Sequence, residues 1–489
     1  MKYGYWLTLL ACLALLFFAS NVGTTRSSWV DLEDSMGNSF QGWISTPWLQ
    51  TAQSDFSAGV LNNVDTSFKP GDVTLASMSG WYDSSWNHRA PITIDNPGSE
   101  LSGYQVRVNV TYDADMQSGF DDIRFTAGDG TTLISYWKQS YTAGVSAVFW
   151  VKVPSVTSGS STVYMYYGNT AAGSASDGAA TFDFFDDFSG DLSQWTIDAE
   201  NTDMVYISAG AGNPSPSLRH DPDSSQTKNG YFDTRLITNA YKMLDGVIEY
   251  EVYLAGSPRI IHQLGWRVPS LNFENGYCWR VQTATSDGGH LRFTGRASWS
   301  TFGTAFGPVS ANAWHTVKEV VSGATYTGYV DGGSAYSGTN SVKLTADYLV
   351  SHVHGVSLNS GSYVLVDNIR VRQYASQEPT TGAGPEESRF VFSGTIASQV
   401  LDCGTSGTRW DAIFWDRTLP VGTAITLEVR AGDVSFDKAS PSPSWIPIGE
   451  ISPVTSGLPS GRYEQWRATL ITSDTSQTPT LHQVIIYHK

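Results

Sequence analysis

Stretches in which apolar and polar residues alternate recur along most of this chain, separated by short segments rich in Gly, Pro and Asp. Residues 104–110 show the pattern clearly, with apolar side chains on one face and polar side chains on the other, as expected of a half-buried strand. Asp129 and Gly130 form a typical hairpin turn. Short, regularly spaced, turn-bounded strands of this kind predict β-sandwiches.

The alternating stretches fall into three groups, which we interpret as three domains at residues 81–178, 182–374 and 388–489. The predicted strands are 90–96, 104–110, 147–153 and 161–167 in the first domain; 246–253, 260–268, 277–283, 290–296, 314–321 and 325–330 in the second; and 389–392, 397–401, 410–415, 424–430, 462–469 and 481–487 in the third. The predicted fold class is therefore all-β, with three consecutive β-sandwich domains.

The remaining segments differ in character. Residues 1–28 combine Lys2, an apolar run and small polar residues, which is typical of a secretory signal; the alternative is an uncleaved anchor. Residues 29–80 are interpreted as an extended lead segment with short strands at 55–61 and 72–76, and residues 375–387 as a polar linker. No later segment is apolar over the roughly 20 residues that cross a bilayer. We therefore expect an extracellular or cell-surface protein without a membrane span in the mature chain.

The net charge of the chain argues against two classes of binding partner. The chain has 46 acidic residues against 29 Lys and Arg, a formal net charge of −17. Nucleic acids and anionic membrane surfaces are recognised by clustered basic residues, so this composition argues against both. The three cysteines, Cys12, Cys278 and Cys403, are too few and too widely spaced for a disulfide framework, so stability must come from packed cores.

The segment that follows the signal carries a resemblance. Its pattern, formed by Asp31, Glu33, Ser35, Gly37, Asn38 and Phe40, resembles the start of mature proteins released by the SipW-type signal peptidase. That group includes proteins that form or decorate extracellular fibres, so the resemblance implies an export route. It also motivates an alternative function, a self-associating fibre subunit whose lead segment adds a strand to a neighbour's sheet edge.

The first domain resembles the domain of unknown function 2341, a family found in large exported proteins of bacteria and archaea. The residues that carry the resemblance are Trp86, Arg89, Pro91, Ile94, Asn96 and the blocks 121–125, 149–154 and 164–169. The resemblance implies a surface β-sandwich and no particular activity.

The second domain resembles concanavalin A-like jelly rolls, including laminin-G-like domains. The resemblance rests on an opening block at 184–195, the segments 314–317 and 329–332, and a closing block at 363–371. In such folds the opening and closing strands lie side by side, which implies that Asp187, or Asp186 in its place, shares a structural Ca²⁺ with Asp367. The alternative is that these aspartates cap turns through backbone N–H groups.

Aromatic residues suggest where this domain binds a ligand. Trp266, Trp279, Arg280 and Trp299 are assigned to the central part of the jelly roll. Sugar rings stack on Trp, and neighbouring polar groups bind their hydroxyls, so we expect these four residues to line a groove for carbohydrate. The alternative is that the tryptophans fill the core.

The sequence contains no pattern typical of a hydrolase. Glu249 and Glu251 share a strand face but nothing nearby completes a catalytic pair, so we expect them to face solvent. His352 and His354 also share a face and could bind a metal, but no third ligand is close in sequence. The prediction is a non-catalytic exported protein that binds carbohydrate or another cell-surface polymer. The alternatives are a structural subunit or decoration of an extracellular fibre, and a glycan-acting hydrolase.

Overall fold

The structure is a computed structural model that describes residues 47–67, 69–198, 204–212, 216–221, 232–256, 258–295, 298–358 and 361–488. The described chain is almost entirely β, which confirms the predicted all-β class. It divides into two compact units. The terminal unit consists of Met1–Ser77 with Phe390–Lys489, and the central unit is Met78–Arg389.

The predictions for the N-terminus lie outside the described residues. This applies to the signal at 1–28, the SipW-type pattern and Cys12. Among the described residues, no helix has the length and apolar character needed to span a bilayer.

The predicted lead segment has regular structure from residue 48 onwards. Its elements are β1 (Trp48–Gln50), α1 (Gln53–Ser57), β2 (Val60–Asn62), β3 (Val64–Asp65) and β4 (Thr74–Leu75). The strand predicted at 55–61 is wrong over its first half, which is helical. The Asp55 carboxylate accepts hydrogen bonds from the backbone N–H groups of Thr51 and Ala52, at 3.0 and 2.9 Å, and so closes the turn that starts α1.

The first sandwich occupies the start of the central unit. Its elements are β5 (His88–Asn96), β6 (Leu101–Thr111), β7 (Arg124–Thr126), β8 (Tyr136–Thr142), β9 (Ser146–Val156), β10 (Gly159–Tyr167) and α2 (Gly178–Thr181). One sheet has the order β5-β10-β7 and the other β6-β9-β8. The alternating apolar residues of β6 and β9 face the other sheet and are buried, as the period of two predicts.

The second sandwich is a two-sheet jelly roll. Its strands are β11 (Phe184–Asp186), β12 (Trp195–Ile197), β13 (Val205–Ser208), β14 (Ser217–His220), β15 (Phe232–Met243), β16 (Gly246–Ala255), β17 (Pro258–Val268), β18 (Glu274–Gln282), β19 (Gly289–Gly295), β20 (Ser298–Thr301), β21 (Trp314–Ser322), β22 (Thr325–Val330), β23 (Tyr336–Thr339), β24 (Asp347–Leu358) and β25 (Tyr363–Arg372). The eight-stranded sheet has the order β13-β14-β25-β16-β21-β22-β23, with β11 beside β25. The seven-stranded sheet has the order β12-β15-β24-β17-β18-β19-β20.

The space between the two jelly-roll sheets is filled by apolar and aromatic side chains, with a few polar bridges. His290 on β19 binds Glu319 on β21 at 2.9 Å, and both side chains are fully buried. His220 on β14 contacts Thr234 and Ser351 of the opposite sheet at 2.8 and 3.0 Å. These hydrogen bonds join the two sheets at defined positions.

The outer face of the eight-stranded sheet packs against the first sandwich. Paired charges are buried at this contact. Arg370 Nε and Nη1 donate to Glu249 and Glu251, at 3.2 and 3.4 Å, and Arg372 lies 3.5 Å from Glu249. The expectation that Glu249 and Glu251 face solvent is therefore wrong, because both are more than nine-tenths buried. Two arginines beside two carboxylates balance the charges that this burial removes from water.

Aromatic side chains of the first sandwich cover these arginines. The Arg370 guanidinium lies 5.4 Å from the ring of Trp137, and that of Arg372 lies 4.8 Å from the ring of Trp150. Arg372 also donates to Glu378 at 2.7 Å. The name arginine interface is used below for Arg370, Arg372, Glu249, Glu251, Glu378, Trp137 and Trp150. This interface joins the first sandwich to the jelly roll within the central unit.

The predicted linker at 375–387 is part of the first sandwich. It contains β26 (Thr380–Ala383), and β27 (Glu387–Ser388) ends just beyond it. Both strands pair antiparallel with β5, which makes that sheet five-stranded. The linker interpretation is wrong because β26 is an edge strand of mainly exposed Thr and Gly residues, which gives no apolar alternation to detect.

The third sandwich combines both ends of the chain in the terminal unit. Its later strands are β28 (Ser393–Ala397), β29 (Leu401–Asp402), β30 (Trp410–Thr418), β31 (Thr423–Gly432), β32 (Ile446–Pro447), β33 (Tyr463–Thr472) and β34 (Thr480–His488). A six-stranded sheet has the order β2-β28-β33-β31-β32, with β29 beside β33, and a three-stranded sheet has the order β1-β34-β30. The lead segment therefore supplies an edge strand to each sheet, and its Phe56, Val73 and Leu75 are fully buried in the shared core.

We predict that the lead segment is needed for the terminal unit to fold. Removing residues 29–77 takes away β1, β2 and three buried apolar side chains, so the calorimetric transition of this unit should disappear. Removing residues 29–46 alone should leave that transition unchanged, because the described pairing starts at Trp48. Equal behaviour of the two truncated proteins in differential scanning calorimetry and limited proteolysis would contradict this prediction.

The arginine interface leads to a second prediction, for Glu249→Gln. This change leaves Arg370 and Arg372 short of a buried counter-charge and should destabilise the central unit by about 3–5 kcal/mol. Calorimetry checks the loss, and Glu274→Gln, an exposed position in the same unit, is the matched control.

The pH dependence of this effect has a definite sign. Burial raises the pKa of Glu249, but the charges of Arg372, Arg370 and Lys318 outweigh burial and hold it below the usual value. A carboxylate with a lowered pKa stabilises the fold above its unfolded pKa, and this stabilisation is lost as the pH falls through the folded pKa. The difference between wild type and Glu249→Gln should therefore be constant at neutral pH and shrink below the ordinary glutamate pKa of 4.5. A difference that grows on acidification would be inconsistent with the assigned ion pairs.

Candidate functional site

The outer face of the seven-stranded sheet carries the polar side chains that sequence analysis connected with ligand binding. Successive residues of β17 and β18 point alternately to this face and to the core between the sheets. On β18, Tyr277 and Trp279 lie in the core cluster, while Cys278 belongs to a second cluster on the outer face. Arg280 lies on the same side as Cys278.

Two of the predicted ligand-binding tryptophans are core residues. Trp266 and Trp279 are both fully buried. The Trp279 ring stacks on Phe306 at 5.1 Å with an interplanar angle of 3°, and Gly328 leaves the room that this ring occupies. The prediction that Trp266 and Trp279 line a groove is wrong, because these rings fill the wide space between the sheets.

Arg280 and Trp299 lie together on the outer face. The Arg280 guanidinium is 4.7 Å from the centre of the Trp299 ring, and Arg280 is almost fully buried while Trp299 is half-buried. His354 meets the same indole edge-on at 5.4 Å. Trp299 is therefore held on the sheet by a cation–π contact and an aromatic contact, and part of it remains accessible to a ligand.

Arg259 and Asp287 extend this patch. Arg259 Nη2 donates to Asp287 Oδ2 at 3.0 Å, and Arg280 Nη1 donates to the same oxygen at 3.2 Å. The side chains of Arg259 and Asp287 are 27% and 45% exposed, so a ligand can reach both. Burial raises the pKa of Asp287, but hydrogen bonds from Thr285 and Gln282 and the two arginines outweigh it and lower this pKa. We call Arg259, Arg280, Asp287 and Trp299 the outer-face patch.

A network centred on Gln263 connects the patch to the two histidines. The Gln263 amide, oriented so that both of its ends are satisfied, donates to His352 Nδ1 at 2.6 Å. Its oxygen accepts from Nε and Nη2 of Arg280, both at 3.1 Å. Because Gln263 is fully buried, it holds Arg280 in a fixed position behind Trp299.

The third residue beside the histidines is Asp233, on the neighbouring strand β15. One ligand atom from each of Asp233, His352 and His354 lies within 4.8 Å of the others. Sequence analysis missed Asp233 because it is 119 residues from His352, and strand pairing alone brings the two together.

The charges around this trio disfavour a cation. Asp233 is ion-paired with Arg235 and hydrogen-bonded to His352. Burial, His352 and three arginines lower the pKa of His354 to about 3, so its imidazole is neutral. We interpret the trio as a hydrogen-bonded support for the patch.

The predicted calcium ligands have other partners in the described structure. Strands β11 and β25 do pair, as the resemblance implies. Asp186 accepts from Phe188 N at 2.8 Å and from Trp195 Nε1 at 2.7 Å, and Asp187 accepts from Ser189 N at 3.0 Å. The Asp367 carboxylate accepts from the next backbone N–H, that of Asn368, at 2.7 Å.

These contacts match the turn-capping alternative. Within the described ranges, the groups of three or more potential ligand atoms lying within 4.8 Å of one another include none of these aspartates. Both oxygens of Asp186 are used by N–H donors, so the geometry fits Ca²⁺ poorly. The calcium site stays a prediction.

One family model matches part of the chain. Residues 119–198 match the family described as Domain of unknown function (DUF2341). This match begins later than the range 81–178 expected from the sequence, and it extends into the jelly roll. No curated protein matches the chain.

Several solved structures are similar to part of the chain. A carbohydrate-binding module, CBM66 from Bacillus subtilis, is 14% identical, with 37% of this chain and 96% of that chain covered and a TM-score of 0.28. A Bacillus licheniformis β-glucanase is 13% identical, with 39% and 98% covered and a TM-score of 0.30. A Bacteroides ovatus mixed-linkage glucan GH16 protein, in complex with product, is 9% identical, with 38% and 99% covered and a TM-score of 0.30. Likeness at this level carries no argument about ligand or reaction.

The positions of the tryptophans lead to a third prediction. Trp279→Ala leaves a large cavity between the sheets and should destabilise the central unit by about 3–5 kcal/mol. Trp299→Ala removes a half-buried side chain and should cost only about 1 kcal/mol. Denaturant titrations of the two variants check the difference, and equal losses would show that Trp299 is also a core residue.

Proposed function

We propose that this chain is an exported cell-surface protein whose jelly roll binds glycans through the outer-face patch, without cleaving them. The observation that carries the proposal is the stack of Trp299 on Arg280, beside the accessible pair Arg259 and Asp287. A partly accessible indole offers an apolar surface to the C–H face of a sugar ring. Arg259 donates hydrogen bonds and Asp287 accepts them, which together match sugar hydroxyl groups.

The side chains of the patch hold one another through hydrogen bonds and a cation–π contact. Gln263 holds Arg280, Arg280 holds Trp299, and Asp287 receives hydrogen bonds from both arginines. A binding surface whose side chains are already ordered loses little conformational entropy when a ligand binds. A rigid surface of this kind suits a binding module that recognises a repeating polymer.

The acidic groups of this face support binding rather than hydrolysis. A retaining or inverting glycosidase needs one protonated carboxyl group as proton donor and a second carboxylate nearby. The lowered pKa of Asp287 keeps that group ionised at neutral pH, so it is a poor proton donor. Asp233 is tied to Arg235 and His352. Glu249 and Glu251 lie on the other sheet, in the arginine interface.

The fibre alternative loses one of its supports. It relied on a lead segment able to add a strand to a neighbour, but β1 and β2 pair with β34 and β28 of their own unit. Within that segment, residues 29–46 and residue 68 lie outside the described structure. The export part of the proposal rests on the N-terminal pattern, and secretion of the full chain tests it.

The proposed function predicts a specific loss on a glycan array. Wild-type protein should bind a subset of glycans, and Trp299→Ala should weaken this binding by about tenfold or more, since stacking supplies roughly 1.5 kcal/mol beyond buried area. Trp314→Ala is the matched control, because Trp314 is a half-buried tryptophan on the other sheet of the same jelly roll.

Three results would count against this proposal. Equal losses in the Trp299 and Trp314 variants would place the binding surface elsewhere. Binding to no glycan at all would remove the ligand class. Shortened products released from a bound polysaccharide would show that the chain is an enzyme.

A further inference from the structure

A second group of chemically reactive side chains lies in the terminal unit. Cys403 follows β29, Glu464 is near the start of β33, and His488 ends β34. One ligand atom from each, the Cys403 sulfur, a Glu464 oxygen and a His488 ring nitrogen, lies within 4.8 Å of the others. We call these three residues the Cys–Glu–His cluster. It is independent of the outer-face patch.

Strand pairing holds the cluster together from both sheets. Glu464 lies opposite Leu401 in the six-stranded sheet, and Cys403 N donates to Arg462 O at 2.8 Å. His488 lies opposite Trp410 in the three-stranded sheet. The cluster therefore bridges the two sheets at one end of the third sandwich.

Glu464 makes this cluster unusual. Its side chain is fully buried, and neither carboxylate oxygen accepts a hydrogen bond from an N–H or O–H group in the described part of the chain; the weak S–H donor of Cys403 lies beside it. A buried carboxyl group without a partner costs free energy, which evolution normally avoids by pairing it with a donor or a cation. Burial raises the pKa of Glu464 to about 8, and a hydrogen bond with the Cys403 thiol acts in the opposite direction.

The environment of Cys403 also disfavours the charged form of its side chain. Burial and the neighbouring Glu464 raise the pKa of the Cys403 thiol to about 12. The Cys403 sulfur and a Glu464 oxygen lie close enough together for one cation to contact both. A divalent cation placed between them would favour both anionic forms at once.

The donor set indicates which cation fits. Thiolate sulfur, imidazole nitrogen and carboxylate oxygen are the three ligand types of zinc sites, whereas Ca²⁺ and Mg²⁺ take oxygen ligands. Three protein ligands leave one position of a tetrahedral zinc ion for water. We propose that the Cys–Glu–His cluster is a zinc site that links β34 to the six-stranded sheet.

In two other groups of described residues, three potential ligand atoms also lie within 4.8 Å of one another. Their acidic side chains differ from Glu464 in being ion-paired or solvated. Asp233 of one group is ion-paired with Arg235, as described above. In the other, His88, Asp115 and Glu386, the two acidic side chains are 52% and 37% exposed and are solvated. Among the three groups, the buried and unpaired carboxyl group occurs only in the Cys–Glu–His cluster.

The test uses the full chain freed of metal by a chelator and then loaded with Zn²⁺ or Co²⁺. We expect about one tightly bound metal ion per chain by elemental analysis after gel filtration, and a thiolate-to-cobalt charge-transfer band with Co²⁺. Cys403→Ser should abolish the band and lower metal content at least about tenfold. Cys278→Ser is the control for the second thiol, and His354→Gln for the rival cluster; both should bind metal as the wild type does.

Glu464→Gln separates metal binding from folding. This change replaces a buried unpaired acid by a neutral group of the same shape, so the metal-free variant should be at least as stable as the wild type. It should also lose metal affinity and the rise in Tm that Zn²⁺ gives the wild type. Failure of the wild type to retain zinc would overturn the proposal. So would retention of the cobalt band in Cys403→Ser, or its loss in His354→Gln.

Discussion

Two arginines on one strand determine how the central unit is built. Arg370 and Arg372 both project from β25 on the side away from the jelly-roll core, where they meet Glu249 and Glu251 of β16. Paired charges on a sheet face would ordinarily stay in water. Here the tryptophans of the first sandwich cover them, so the face is buried and the two sandwiches form one unit. The cost of removing these charges from water is offset only while every partner is present.

On the opposite face of the jelly roll, buried polar groups also satisfy one another, and there they support the outer-face patch. Arg280, Gln263 and His352 are buried on the outer side of the seven-stranded sheet, and their hydrogen bonds satisfy one another. The network leaves Trp299 and Asp287 partly accessible at its edge. A fully satisfied polar network behaves as a rigid support, which is what a binding surface requires.

The strands with strong alternation could be predicted from sequence. The prediction of 104–110 corresponds to β6, and that of 314–321 corresponds to β21 within a residue. Prediction failed where the local signal was weak or ambiguous. An apolar residue such as Phe56 fits a helix or a strand equally well, and the Thr- and Gly-rich β26 carries no alternation at all. For Trp266 and Trp279 the residue type was informative, but the sheet face was not known.

The sequence by itself determined the all-β class, the positions of the strongly alternating strands, the acidic charge, and the candidate residues Arg280 and Trp299. Only the tertiary structure decided which face of each strand is covered, and by what. It placed Trp279 in the core and left Trp299 half-buried on the outer face. It also brought Asp233 to His352 and Glu464 to Cys403 and His488. The physical reason is that alternation defines two faces of a strand, whereas packing against a distant partner decides which of them water can reach.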